Sequence, residues 1–164
     1  PKADPAGTLK QKNAATALKA IAGSRSSFTS RGDDSGTHKK ELALWYAAGI
    51  DVQRESGGWY RETGSSMGAT LNTASAMDAY ALSDRGTWLN FNNKGNLIIL
   101  SEGDRRLLNP YGLILVNPKR HPHVKAADGQ VFINWLISRA GQNAIAQFRI
   151  KGRQAFFPIL ELNK

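Results

Sequence analysis

An α/β fold, with a mixed β-sheet flanked by helices, is what this chain predicts, and three observations carry the prediction. Twice, in residues 27–49 and 59–77, a short strand-like run ends in a turn rich in glycine and hydroxyl side chains and then opens a helix. The runs Leu97 to Leu100 and Leu113 to Val116 are continuously apolar and contain Ile and Val, as strands covered on both faces do. The alternation of such strands with helices places helices on both sides of the sheet.

The elements follow in order. Residues 1–8 are an extended, Pro-containing lead, and residues 13–22 form a helix through Ala14, Ala17, Leu18 and Ile21, stopped by Gly23. Ser27-Phe28-Thr29 is a strand. After the turn from Ser30, a helix presents Leu42 and Trp45 on one stripe and is closed by Gly49. A polar loop leads to the strand Trp59 to Thr63, the turn Gly64 to Gly68, and a helix through Ala69, Thr70, Thr73 and Met77. Ala79 to Leu82 is a buried strand, followed by a helix start at residues 83–88. Beyond Asn117-Pro118 the character changes, with helices over 131–137 and 142–148.

The stretch from Ser30 to Glu41 carries the chemistry. The first N–H groups of a helix have no intrahelical partner, and the aligned peptide dipoles leave partial positive charge there. Gly32 and Gly36 let a ligand approach the backbone, while Ser35 and Thr37 add hydroxyl donors. Arg31 adds a planar, permanently charged fork suited to an oxyanion. Asp33 and Asp34 would repel an anion, so they are assigned to capping or to holding Arg31. Ser65, Ser66 and the amides of Met67 and Gly68 form a second turn of the same kind, which faces the same anion if the two strand ends are neighbours. Asp84 and Arg85 read as a structural ion pair, with Arg85 a second cation if the ligand sits deeper.

These residues resemble a known family. The run Ser30 to Glu41, with Met67-Gly68-Ala69-Thr70-Leu71, Asp84-Arg85-Gly86-Thr87-Trp88, Glu102-Gly103-Asp104, Leu108-Asn109-Pro110-Tyr111, Val116-Asn117-Pro118 and Phe156-Phe157-Pro158, is similar to the tungstate-binding proteins of bacterial ABC importers, a branch of the type II periplasmic binding proteins. The resemblance implies a three-layer lobe that binds a tetrahedral oxyanion, tungstate or molybdate, for a membrane permease. It implies ligand contacts from Arg31, Ser35, Gly36, Thr37, Ser66, Met67 and Gly68, supported by Asp33, Asp34, His38, Asp84 and Arg85. Proteins of this kind begin with a further lobe bearing a Thr/Ser-rich turn, and no such run precedes Pro1, so the chain reads as the second half. On that reading residues 1–116 are the ligand-binding lobe with its hinge strands. Residues 117–164 are a helical segment that packs on the missing N-terminal lobe. Without that lobe, Phe132, Trp135, Leu136 and Phe148 are expected to be exposed and to favour self-association. The resemblance also implies export to the periplasm, with the signal peptide already removed.

Composition sets outer limits. A chain of 164 residues, 41% hydrophobic, is long enough for one packed domain. Twenty-two Lys and Arg against 13 acidic residues leave a formal charge of +9, which suits an acidic partner or a solvated basic surface. The absence of cysteine excludes disulfides and thiolate metal sites. No apolar run approaches the ~20 residues needed to span a bilayer.

Other classes meet weaker support. Asp34 and His38 lie four apart, the spacing of paired metal ligands, but no third ligand and base complete a hydrolytic set. Ser35 and His38 have no third triad member, and His121-Pro122-His123 stands alone, so no enzyme, protein-coordinated metal or cofactor is expected. Phosphate or sulfate are alternative anions. A nucleic-acid-binding surface at 148–153 with Phe156 and Phe157 is a further alternative, without a recognised module behind it.

Overall fold

The computed structural model describes residues 1–11 and 13–158, and the chain forms two compact units, Pro1–Asn109 and Pro110–Lys164. In the first unit, helix α1 (Ala14–Gly23) starts at a reciprocal cap. The Asn13 side chain accepts from Thr16 N–H at 3.0 Å, and Thr16 Oγ1 accepts from Asn13 N–H at 3.3 Å. Strand β1 (Phe28–Ser30) follows, then α2 (Gly36–Ala47), β2 (Tyr60–Glu62), α3 (Met67–Ala76), β3 (Tyr80–Ala81) and the short α4 (Arg85–Asn90).

The sheet has the order β2-β1-β3 and all its pairings are parallel. Strand β1 is therefore central and buried along its whole length. The connection leaving β1 runs through α2 to β2, and the one leaving its neighbour β2 runs back through α3 past β1 to β3, so the two connections take opposite directions from the adjacent C-terminal ends of β1 and β2. That is the switch point at which open α/β sheets place ligands. Register sets Phe28 between Tyr60 and Tyr80, and these three rings face one core with Leu18 and Ile21 of α1 and Leu44 and Trp45 of α2. Met67, Leu71 and Ala74 of α3 form a second core with Ala79 and Leu97, to which Ala81 adds. Helices thus cover two separate cores around the sheet, as the predicted layering requires.

Helix α2 ends as its sequence predicts. Gly49 takes φ 73°, its N–H meets Tyr46 C=O at 2.9 Å, and Ile50 N–H reaches Trp45 C=O at 3.0 Å. Its buried face differs from the expected stripe of Leu42 and Trp45: it runs through His38, Glu41, Leu44, Trp45 and Ala48. A carboxyl occupies that face because Tyr60 of β2 and Trp45 of the same helix both donate to it.

Two expected strands are not strands. Residues 97–100 and 113–116 have no ladder partner among the described residues; Leu97 is buried, but Ile98, Leu113, Ile114 and Val116 are exposed. A continuous apolar run carries no alternation, so it does not distinguish a paired strand from an irregular segment with some buried side chains. Within the second unit, α5 (Ala126–Ile137) and α6 (Arg139–Gln147) are joined at Ser138, which ends the one and caps the other. The antiparallel pair β4 (Arg149–Ile150) and β5 (Arg153–Gln154) turns at Lys151-Gly152, both in the left-handed region at φ 50° and 76°. Phe132, Trp135 and Phe148 are exposed, and Leu136 is half-buried.

Candidate functional site

The turns that follow β1 and β2 are tied together by backbone. Thr63 N–H donates to Ser30 C=O at 2.9 Å and Ser65 N–H to Arg31 C=O at 3.2 Å. Thr63 also gives its hydroxyl to Ser30 C=O at 3.0 Å, and its Oγ1 lies 2.8 Å from Thr70 Oγ1 on α3. These bonds bring the turn that leads into α2 beside the turn that leads into α3. Gly32 is needed for this approach: at φ 60°, an added Cβ would lie 2.8 Å from Glu62 Cβ. Gly32→Ala is expected to cost at least about 1–2 kcal/mol from the left-handed backbone alone, measured as a lower urea midpoint.

In the first turn, Arg31 forks onto Asp33, with Nε at 3.1 Å from Oδ2 and Nη2 on the same oxygen. Asp33 Oδ1 accepts the Ser35 amide at 3.2 Å. The Ser35 hydroxyl and, less strongly, the Arg31 guanidinium hold the Asp33 carboxyl at about 2, against the opposing effect of burial. Asp33 is therefore the brace of Arg31. Asp34, at φ 58°, directs its carboxylate to Lys39 at 3.4 Å and its amide to His38 Nδ1 at 3.1 Å. An Nδ1 that accepts leaves the proton of a neutral imidazole on Nε2. Nε2 is buried and has no hydrogen-bond partner among the described residues.

Ser35 caps α2 by accepting His38 N–H at 3.2 Å. The amides of Gly36 and Thr37 are left with no acceptor among the described residues, beside Arg31. In the second turn Ser66 occupies the cap position of α3 without a side-chain cap bond, and it is exposed. The Met67 side chain is buried in the second core, so only its amide remains for the turn, next to that of Gly68. Asp84 and Arg85 stand apart from the expected ion pair. Asp84 caps α4 by accepting Thr87 N–H at 2.8 Å, and Arg85 reaches Glu102 at 2.8 Å. No group of three His, Cys, Asp or Glu among the described residues is placed to hold a metal ion.

Two residues gain roles that the sequence did not assign. Thr63 is the clamp between the turns. Glu41, 1% exposed, receives Tyr60 Oη–H at 2.8 Å and Trp45 Nε1–H at 3.2 Å on one oxygen. Burial pushes its carboxyl up to about 7, against the hydrogen bonds, and drives the Tyr60 phenol above its ordinary range. Ser30 Oγ lies close enough to favour the charged forms of both, though outside hydrogen-bonding geometry. The only sequence signal for Glu41 was its place one turn after His38 on the same face.

Comparison with known proteins agrees with this architecture. The chain is 42% identical, over 80% of its length, to the tungstate-binding protein TupA of Peptoclostridium acidaminophilum, of which it covers 45%. The crystal structure of the tungstate ABC transporter from Geobacter sulfurreducens superposes with a TM-score of 0.81 at 46% identity, covering 90% of this chain and 62% of that one. The tungstate-binding protein TupA from Desulfovibrio alaskensis G20 gives a TM-score of 0.80 at 38% identity, covering 98% and 65%. The chain spans about half the length of the curated relatives it matches. Residues 1–140 match the PBP superfamily domain, and the chain belongs to that superfamily.

Proposed function

We propose that this chain supplies the oxyanion-binding lobe of the solute receptor of an ABC importer, with tungstate as ligand and molybdate as its nearest competitor. The observation that carries the reading is the junction of the two turns that open α2 and α3, clamped through Ser30–Thr63 and Arg31–Ser65 beside a braced arginine. Relatives named as tungstate-binding proteins support the choice of anion. Arg31, the Gly36 and Thr37 amides, and Ser66 with the Met67 and Gly68 amides donate to the ligand. The Ser35 hydroxyl turns from Asp33 to join them. Asp33 and Asp34 hold Arg31 and Lys39, His38 supports the turn, and Asp84 and Arg85 stabilise the neighbouring α4 start.

Capture replaces the anion's hydration shell by preorganised donors, and no covalent bond is made or broken. A second lobe closes over the anion by a hinge, and a membrane permease receives it outside the cytoplasm. No helix among the described residues is long and apolar enough to cross a membrane. Asp33 Oδ2 is held by Arg31 and Oδ1 already accepts the Ser35 amide, so the turn presents mainly donors, which disfavours monohydrogen phosphate. Calorimetric titration of the full-length protein is expected to show saturable tungstate binding, displaced by molybdate and not by phosphate. A folded protein that binds no oxyanion overturns the reading; salt-sensitive binding of an oligonucleotide instead would support a nucleic-acid surface.

A further inference from the structure

We infer that Glu41 couples oxyanion capture to a proton, the site at the start of α2 holding its ligand tightly while Glu41 is protonated and releasing it when Glu41 ionises. The inference rests on the proposed oxyanion site.

The geometry places an acid with no cationic partner beneath an anion site. Glu41 follows the cap residue Ser35 by six positions, which at 1.5 Å per residue is ~9 Å along the helix. Its side chain is sealed in the aromatic core at 1% exposure, so water screens little of the field between it and the turn. No salt bridge to Glu41 exists among the described residues. From β2 it faces Tyr60, which donates a hydrogen bond, and Glu62, whose like charge disfavours ionisation. On α2 itself His38 lies one turn back, with Nδ1 engaged by Asp34 N–H. The central strand β1 brings Ser30 and leads into Arg31, whose charge is bound to Asp33. The one charged side chain of α1, Lys19, is exposed.

An ionised Glu41 therefore acts on a bound dianion as an uncompensated like charge through protein. Its carboxyl, raised to about 7 mainly by burial, is protonated below that pH and ionised above it. Affinity should be highest below pH 7 and fall as pH rises through it. At an effective dielectric of 20–40 and ~10 Å, repulsion between a dianion and a single charge corresponds to a weakening of roughly 15- to 300-fold. Coupling is reciprocal, so the anion raises the proton affinity of Glu41 by the same factor. Glu41 thus takes up part of a proton when ligand binds near neutrality.

The experiment is titration of tungstate into the full-length protein at pH 6.5, 7 and 8.5, where the ligand itself stays fully deprotonated, in buffers of different ionisation enthalpy. Wild type is expected to lose on the order of 10-fold or more in affinity at the higher pH and to take up protons at pH 7. Glu41→Gln, which keeps the shape and carries no charge, is expected to bind as tightly at pH 8.5 as at pH 6.5, with no proton uptake. An unchanged slope in Glu41→Gln overturns the inference while leaving the oxyanion site standing, and assigns the titration to another group. If Glu41→Gln does not fold, the wild-type glutamic acid carbonyl band, followed by isotope-edited infrared spectroscopy, must strengthen near pH 7 when tungstate is added. A band indifferent to ligand overturns the inference. Absence of tungstate binding at every one of these pH values overturns it together with the proposed function.

Discussion

Arg31→Ala is expected to weaken oxyanion binding by about 2–5 kcal/mol, roughly 30- to several-thousand-fold, the range for removing one partner of a buried charged contact. The effect has two sources. The substitution removes the cation of the first turn, and it frees Asp33 Oδ2 to face the ligand with its full charge, since both guanidinium contacts go to that oxygen. Arg31→Lys keeps the charge and loses the planar fork, so it should recover part of the affinity and less of the discrimination. Calorimetric titration with tungstate decides the matter; an alanine variant within threefold of wild type would remove Arg31 from the site.

Phe28→Ala is the largest stability change expected, at about 3–5 kcal/mol, the usual cost of deleting a buried aromatic ring. Phe28 is 2% exposed on the central strand, edge-on to Trp45 at 5.1 Å and stacked on Tyr60 at 5.9 Å. Its loss opens a cavity where α2 meets the sheet and loosens the ring that holds Tyr60 against Glu41. Urea denaturation followed by tryptophan fluorescence reads this unit directly, because Trp45 and Trp59 sit in the same cluster. A loss below 1 kcal/mol would mean that the surrounding rings collapse into the space.

The α/β class, two strand-turn-helix units and the cap at Gly49 were legible because each is written within a few consecutive residues. A serine before an N-terminal turn, a glycine after the last turn and a glycine following an arginine act locally, and Ser35, Gly49 and Gly32 take those places. Residues 97–100 misled for the same reason. Their apolar character reports burial, which Leu97 achieves, but pairing depends on a neighbouring strand that local sequence does not name.

By itself the sequence determined where backbone donors would be presented and which side chains would stand beside them. Tertiary structure decided that the two turns meet, through Thr63 on Ser30 and Ser65 on Arg31, and that Met67 turns its side chain into the core. It also decided that Glu41, to which the sequence assigned no role, is buried against Tyr60. Caps and turns are settled by interactions a few residues apart, whereas burial of a carboxyl is settled by which distant group arrives to satisfy it. Only the assembled sheet brings that group into place.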